Sequence, residues 1–208
     1  MRGAQLATLA LVAFALESRS CNMTIETPKY ALVNRYADFE TRQYPALRVA
    51  ETDVEGSQTE VGNEAFSRLA GYIFGKNQGA RKVAMTAPVV QAPQPGTSIA
   101  MTAPVSQQRK GAATWRVQFI MPSEYVLASL PKPNDPRVHL REIPAKKVAV
   151  VRYSGAWSMR NYNEHLAILE NGLRREGLHA LGEPSWARYD PPYKPWFLRT
   201  NEISIEIA

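Results

Sequence analysis

The chain has 208 residues, 45% apolar and 21% charged, with 15 Pro, 12 Gly and one Cys, which suits one globular domain or two small ones and excludes a disordered or collagen-like chain. The lone Cys21 excludes a disulfide-stapled mini-protein. Lys and Arg number 25 against 19 Asp and Glu, and the resulting +6 favours an anionic partner without choosing one.

At the N-terminus, Arg2 precedes an apolar run from Leu6 to Leu16 interrupted only by Thr8, and Glu17-Ser18-Arg19-Ser20 then turns polar. Residues 1–20 therefore read as a secretory signal peptide, with Ala13-Phe14-Ala15 as a small-x-small cleavage site. Left uncleaved, the same residues read as an N-terminal helix. The run is too short for a permanent membrane span, and no other segment is long and apolar enough for one. Removing it takes away Arg2, Arg19 and Glu17 and leaves a basic protein expected in the periplasm or secreted. Cys21 at its edge is a candidate lipid anchor, although Ser18-Arg19-Ser20 lacks the apolar residue that a lipoprotein signal carries three positions upstream.

The body, residues 28–208, contains an internal echo. Arg42-Gln43-Tyr44-Pro45-Ala46-Leu47-Arg48-Val49-Ala50 returns as Arg141-Glu142-Ile143-Pro144-Ala145-Lys146-Lys147-Val148-Ala149, and Gly56 and Gly155 keep the same offset. Two copies predict a pseudo-two-fold fold rather than a solenoid, with repeats over about 30–105 and 115–207. Each copy reads as strand, turn, strand, helix. In the first, Leu47–Val54 is strand-like, and Ser57-Gln58-Thr59-Glu60 has capping-box spacing. Phe66, Leu69, Ala70 and Ile73 then form an apolar helical face ending at Gly75. In the second, Lys147–Tyr153 is the strand, Ser158 the cap, and Tyr162, Leu166, Leu169 and Leu173 the buried stripe before Gly177.

Between and beyond the copies, Val83–Val90 and Ser98–Val105 each carry Ala-Met-Thr-Ala-Pro-Val and are predicted strands, separated by the turn Pro93-Gln94-Pro95-Gly96. Trp115–Met121 is a further strand, Pro-rich Leu130–Pro136 a loop, and Ile203–Ile207 a closing strand. The predicted class is α+β.

A search for chemistry returns no nucleophile elbow, phosphate loop, dinucleotide fingerprint or His-Glu-x-x-His motif. His139, His165 and His179 are not spaced as a metal set, and no catalytic residue is assigned. Glu202, just before the terminal strand, is expected in an inter-strand ion pair. Met85 and Met101 occupy equivalent places in the two Met-Thr-Ala-Pro-Val copies, as core fillers or as thioethers against a haem. The basic residues are scattered and accompany no recognition signature, so no nucleic-acid partner is expected.

Five blocks in order then carry a resemblance: Phe39-Glu40-Thr41-Arg42-Gln43-Tyr44, Tyr72-Ile73-Phe74-Gly75-Lys76-Asn77, Met85-Thr86-Ala87-Pro88-Val89, Phe119-Ile120-Met121-Pro122, and Tyr189-Asp190-Pro191-Pro192-Tyr193-Lys194-Pro195 with Asn201-Glu202. Together they resemble the SOUL haem-binding protein family from about Tyr30 to Ile207. The resemblance implies a curved antiparallel sheet or distorted barrel with a helix packed on each half. It also implies non-catalytic binding of haem or a related tetrapyrrole by a carrier, buffer or scavenger. Such a ligand needs an apolar slot and cations for its propionates.

By that resemblance Ala65, Phe66, Leu69 and Ile73 supply apolar wall and Lys194 a cation. A helix Arg of one branch falls at Asn63, for which Arg68 is the substitute. The axial His of another branch falls at Gln43, a poor iron ligand, which leaves Met85, Met101 or Tyr189 as non-equivalent ligands or no axial ligand. The two-fold layout is also similar to bacterial effector-binding domains. Binding of another small apolar anion, or an enzyme acting on a bound tetrapyrrole, therefore stays open.

Overall fold

Two proline-punctuated strand pairs set the frame. In the computed structural model, which describes residues 26–57, 61–79 and 96–208, β1 (Ala31–Arg35) pairs antiparallel with β2 (Glu40–Tyr44). Pro45 ends β2, and the chain resumes as β3 (Leu47–Glu55). Gly56 then takes a φ of +139°, a conformation a side chain resists, and turns the chain into α1 (Val61–Ile73). Further along, β8 (His139–Ile143) and β9 (Lys146–Ser154) repeat the arrangement around Pro144, and Gly155 at φ +129° leads to α2 (Met159–Arg175). Residues 40 and 139, and 47 and 146, begin corresponding strands, so both pairs keep an offset of 99. Ser158 caps α2, its side chain accepting from the Asn161 N–H at 3.3 Å. Of the predicted capping box on α1, Gln58, Thr59 and Glu60 lie outside the described residues.

The remaining strands are β4 (Asn77–Gln78), β5 (Val105–Arg109), β6 (Thr114–Ile120), β7 (Lys132–Pro133), β10 (Ser185–Arg188) and β11 (Thr200–Glu206). Nine strands form one antiparallel sheet in the order β1-β2-β9-β11-β10-β5-β6-β3-β8, curled through 222° into a half-barrel, and β4 and β7 form a small separate pair. Exchanging β2 with β8, β3 with β9, β5 with β10 and β6 with β11 leaves the order of the eight strands other than β1 unchanged on reversal. The axis runs between β5 and β10. Because β2 pairs with β9 and β8 with β3, each half of the sheet is completed by a strand from the other. The two halves thus share one hydrogen-bonded sheet. The α+β class and the pseudo-two-fold curved sheet with a helix on each half are as expected.

Both helices pack on one face of the sheet. Ala65, Leu69, Tyr72 and Ile73 of α1 are buried with Ala50, Val54, Trp115, Val117 and Phe119, and Tyr162, Leu169 and Leu173 of α2 with Ala149, Val151, Trp186, Ile203 and Ile205. Each large aliphatic buried in this way contributes about 1.5–3 kcal/mol. Gly172 lets α2 approach the sheet: a Cβ there would lie 2.8 Å from the Phe39 ring, itself stacked on Tyr36 at 4.4 Å. We expect Gly172→Ala to lose about 2 kcal/mol in denaturant unfolding, because overpacking of up to ~3 kcal/mol exceeds the ~1 kcal/mol gain in helix propensity. Phe39→Leu in that background should recover part of the loss.

Three expectations differ from the structure. Ser98–Val105 is not a strand: Pro104 has no N–H for a ladder, so pairing begins at Val105, while Ile99 donates to Ile73 O at 2.7 Å and Ala103 to Glu26 O at 2.9 Å. The Pro-rich loop contains β7, because Asn77–Gln78 offers it a partner. Phe66 does not belong to the buried stripe. The face of α1 that meets the sheet centres on Ala65 and Leu69, which leaves Phe66 on its flank, 41% exposed and 5.4 Å from the Phe119 ring. Residues 80–95, including the predicted strand Val83–Val90, most of the predicted turn and Met85, lie outside the described residues, as do residues 1–25 with Cys21.

Candidate functional site

A cleft of about 290 Å³ opens between α1 and the segment 133–138. Its shape follows from how the chain leaves α1. Gly75 adopts φ +109°, Asn77 is buried and donates to Tyr72 O at 2.7 Å and Thr97 O at 2.8 Å, and Thr97 N–H donates back to Asn77 Oδ1 at 2.9 Å. This pins both the end of α1 and the returning chain. Pairing of β4 with β7 then draws residues 132–133 alongside the helix, where the Tyr72 hydroxyl donates to Pro131 O at 2.9 Å.

The cleft has apolar walls from Tyr72, Pro133 and Val138, open floor at Gly71 and Ser67, and three cations, Arg68, Lys76 and Arg137, against two carboxylates, Glu64 and Asp135. Its charge is therefore +1. Arg68 lies at the base, its side chain 8% exposed, donating to Thr52 Oγ1 at 2.7 Å and Asp53 O at 3.3 Å and paired with Glu64. Arg137 grips Asp135 through two bonds of 2.9 and 2.8 Å, which hold that carboxyl down at about 2. Lys76 has no ion-pair or hydrogen-bond partner for its ammonium among the described residues, leaving a cation free at the rim.

Of the residues singled out in the sequence, Arg68 alone lines this cleft. Ala65, Leu69 and Ile73 lie beneath α1 in the core, and Met101 packs against the same core. Tyr189 and Lys194 lie elsewhere, at the end of β10 and in the connection to β11. Lys194 Nζ is 2.6 Å from Asp190 Oδ1. Tyr189 Oη donates to Glu202 Oε2 at 2.6 Å, and burial followed by the Glu202 charge raises the phenol well above its ordinary range. Gln43 is exposed on β2 and Asn63 on α1. Among the described residues no group of three or more His, Cys, Asp or Glu is placed to hold a metal ion.

Lys76 and Arg137 were missed by spacing and periodicity, since one follows the helix stop and the other ends a Pro-rich loop. A signal existed for Lys76, which stands in the block Tyr72–Asn77 that carries the family resemblance.

The Glu202 expectation is met. Glu202 receives Arg42 Nη1 and Nη2 at 2.9 Å each across 160 residues of sequence, and Arg42 also reaches Glu40 Oε1 at 2.6 Å. Burial alone would lower the Arg42 guanidinium, but the hydrogen bonds and charge of Glu202 override it and raise it. Beside this network, Tyr44, Leu47, Val49, Ile120, Tyr189 and Glu202 border a narrow groove of about 100 Å³.

The family model described as SOUL heme-binding protein matches residues 25–206, nearly the whole described chain. The chain belongs to the SOUL heme-binding protein family. Similar relatives within reach include heme-binding protein 2 of Mus musculus, 29% identical over 178 residues with 81% of each chain covered. Another is heme-binding protein 1 of Xenopus tropicalis, 28% identical over 171 residues, covering 78% of this chain and 84% of the relative. Among solved structures, the EcmrR C-terminal domain aligns with a TM-score of 0.59 at 10% identity over 86% of this chain and 98% of the other. A hydrolase from Listeria innocua aligns at 0.56 and 12% identity over 84% and 94%. At such identities these two show a shared fold, and the SOUL sheet and helix arrangement is that fold.

Proposed function

We propose that this protein binds haem or a related tetrapyrrole without catalysis, as a carrier, buffer or scavenger outside the cytoplasm, and that its two halves are copies of one unit. Membership of the SOUL family and the names of its heme-binding relatives support the ligand class. The observation that carries the placement is the cleft beside α1, where unpartnered Lys76 and the rim cation Arg137 flank apolar Tyr72, Pro133 and Val138. A tetrapyrrole offers the complementary pattern, a flat apolar ring with two carboxylates at one edge. At about 290 Å³ the cleft is at the small end for ligand pockets, so the ring is held by one edge and face and stays partly open to solvent. Recognition then rests on shape and charge, with iron ligation secondary.

Titration of the full chain with ferric haem and with metal-free protoporphyrin, following the Soret band and tryptophan quenching, tests this reading. Saturable binding of both with affinities within about threefold is expected, a difference of less than ~0.7 kcal/mol. Absence of saturable binding to either would overturn the proposal. Loss of haem absorbance under reductant and oxygen would replace it with an enzymatic one.

A further inference from the structure

The connection between β10 and β11 holds four large apolar side chains in water: Tyr193 is 87% exposed, Trp196 60%, Phe197 58% and Leu198 55%. The loop that carries them is braced from several directions. Lys194 Nζ pairs with Asp190 Oδ1 at 2.6 Å, and Asp190 Oδ2 accepts from Thr200 N–H at 2.5 Å. Arg199 Nε donates to Lys194 O at 2.8 Å, its Nη2 donates to Pro192 O, and its guanidinium lies 4.4 Å over the Trp157 ring. Pro191, Pro192 and Pro195 fix three backbone angles, and Leu198 N–H donates to Pro195 O at 2.9 Å to close a 3-10 turn over Trp196–Leu198. Aromatic rings held out by such bracing are pre-ordered for a partner, since little entropy remains to be lost on contact.

Charge selects the partner. Arg152, exposed and within Coulombic reach of Asp190, joins Lys194 and Arg199 at the base of the loop, so three cations stand around Asp190. At roughly 100–150 Å² each, the four side chains offer only about 500 Å². A stable interface with another protein buries about 800 Å² per partner. Tryptophan, tyrosine and phenylalanine tips with Arg and Lys at their base do suit the boundary of an anionic bilayer, where rings settle among headgroups and cations meet lipid phosphates. No helix among the described residues is long and apolar enough to cross a membrane, so this contact is peripheral.

We propose that the 191–198 loop inserts into the interface of anionic phospholipid membranes. This contact is independent of the cleft beside α1. The test mixes the full chain with vesicles of phosphatidylcholine alone or with added phosphatidylglycerol, some carrying brominated acyl chains. Trp115 and Trp186 are buried, and Trp157 is half-buried beneath Arg199, so the Trp196→Phe variant is what assigns an emission shift to Trp196. Expected are sedimentation on the order of tenfold stronger with the anionic vesicles, a blue shift, and bromine quenching that disappears in Trp196→Phe. Trp196→Ser with Phe197→Ser should weaken uptake about tenfold or more. Because residues 1–20 can hold the chain on vesicles by themselves, bound protein whose Trp196 is neither shifted nor quenched would overturn the proposal. So would absence of uptake, or self-association that the double variant abolishes in the absence of vesicles, which would assign the loop to a second copy.

Discussion

Arg42→Ala should destabilise the protein by about 3–5 kcal/mol in denaturant unfolding, whereas Glu202→Gln should cost only about 1–2 kcal/mol. The asymmetry follows from the partners left behind. Without Arg42, the carboxylate of Glu202, its side chain 7% exposed, keeps only the Tyr189 hydroxyl at 2.6 Å and has no countercharge. Without the Glu202 charge, Arg42 keeps Glu40 at 2.6 Å. The pair joins β2 to β11 across β9, so it couples a strand from one end of the chain to the closing strand from the other. Replacing both together, Arg42→Met with Glu202→Leu, should recover most of the loss, because the penalty of Arg42→Ala comes from an uncompensated buried charge more than from a lost attraction. Equal losses in the two single variants would show that Glu40 does not hold Arg42 as described.

In haem titrations, Lys76→Glu and Arg137→Glu should each lower affinity about tenfold and together about a hundredfold, each step corresponding to ~1.4 kcal/mol. Both side chains stand at the rim of the cleft, so their reversal perturbs the ligand's carboxylates and leaves the core in place. Arg68 is the wrong residue for this test: it ties α1 to β3 through Thr52 and Asp53, and its loss would disturb the fold as well. Lys194→Glu supplies the comparison. If affinity falls there and not at Lys76 and Arg137, the ligand sits at the β10–β11 connection. If it falls at neither place, the charge argument for this cleft fails.

Much of the architecture was legible because burial leaves a periodic trace. The stripe Tyr162, Leu166, Leu169, Leu173 marked α2 and its buried face, with Leu166 at the margin. The spacing of Arg42–Ala50 and Arg141–Ala149 matched the strand pairs β2–β3 and β8–β9. Legibility failed where a segment takes its hydrogen bonds from distant chain. Ile99 and Ala103 are bonded to Ile73 and Glu26, so the apolar run around them never enters the ladder. It failed again at Phe66, because apolar spacing fixes a helical stripe only to within one side chain. The direction of the sheet beneath α1 decided that Tyr72 and Val61 go inward and Phe66 lies on the flank.

The candidate site was less legible than the fold. Lys76 and Arg137 are 61 positions apart in the sequence, and they share a cleft only because β4 pairs with β7. By itself the sequence determined the α+β class, the two helices, the buried stripe of α2 and membership of the SOUL family. The class and the helices are written in local spacing, where each residue's neighbours along the chain decide which face it takes, and the family is carried by the five blocks that resemble it. Only the tertiary structure decided that each half completes its sheet with the other's first strand, that Arg42 neutralises Glu202, and which cations border an open cleft. Those outcomes depend on strand order and loop path, and a hydrophobic pattern of period two or 3.6 says which side of an element is buried but not what lies across from it.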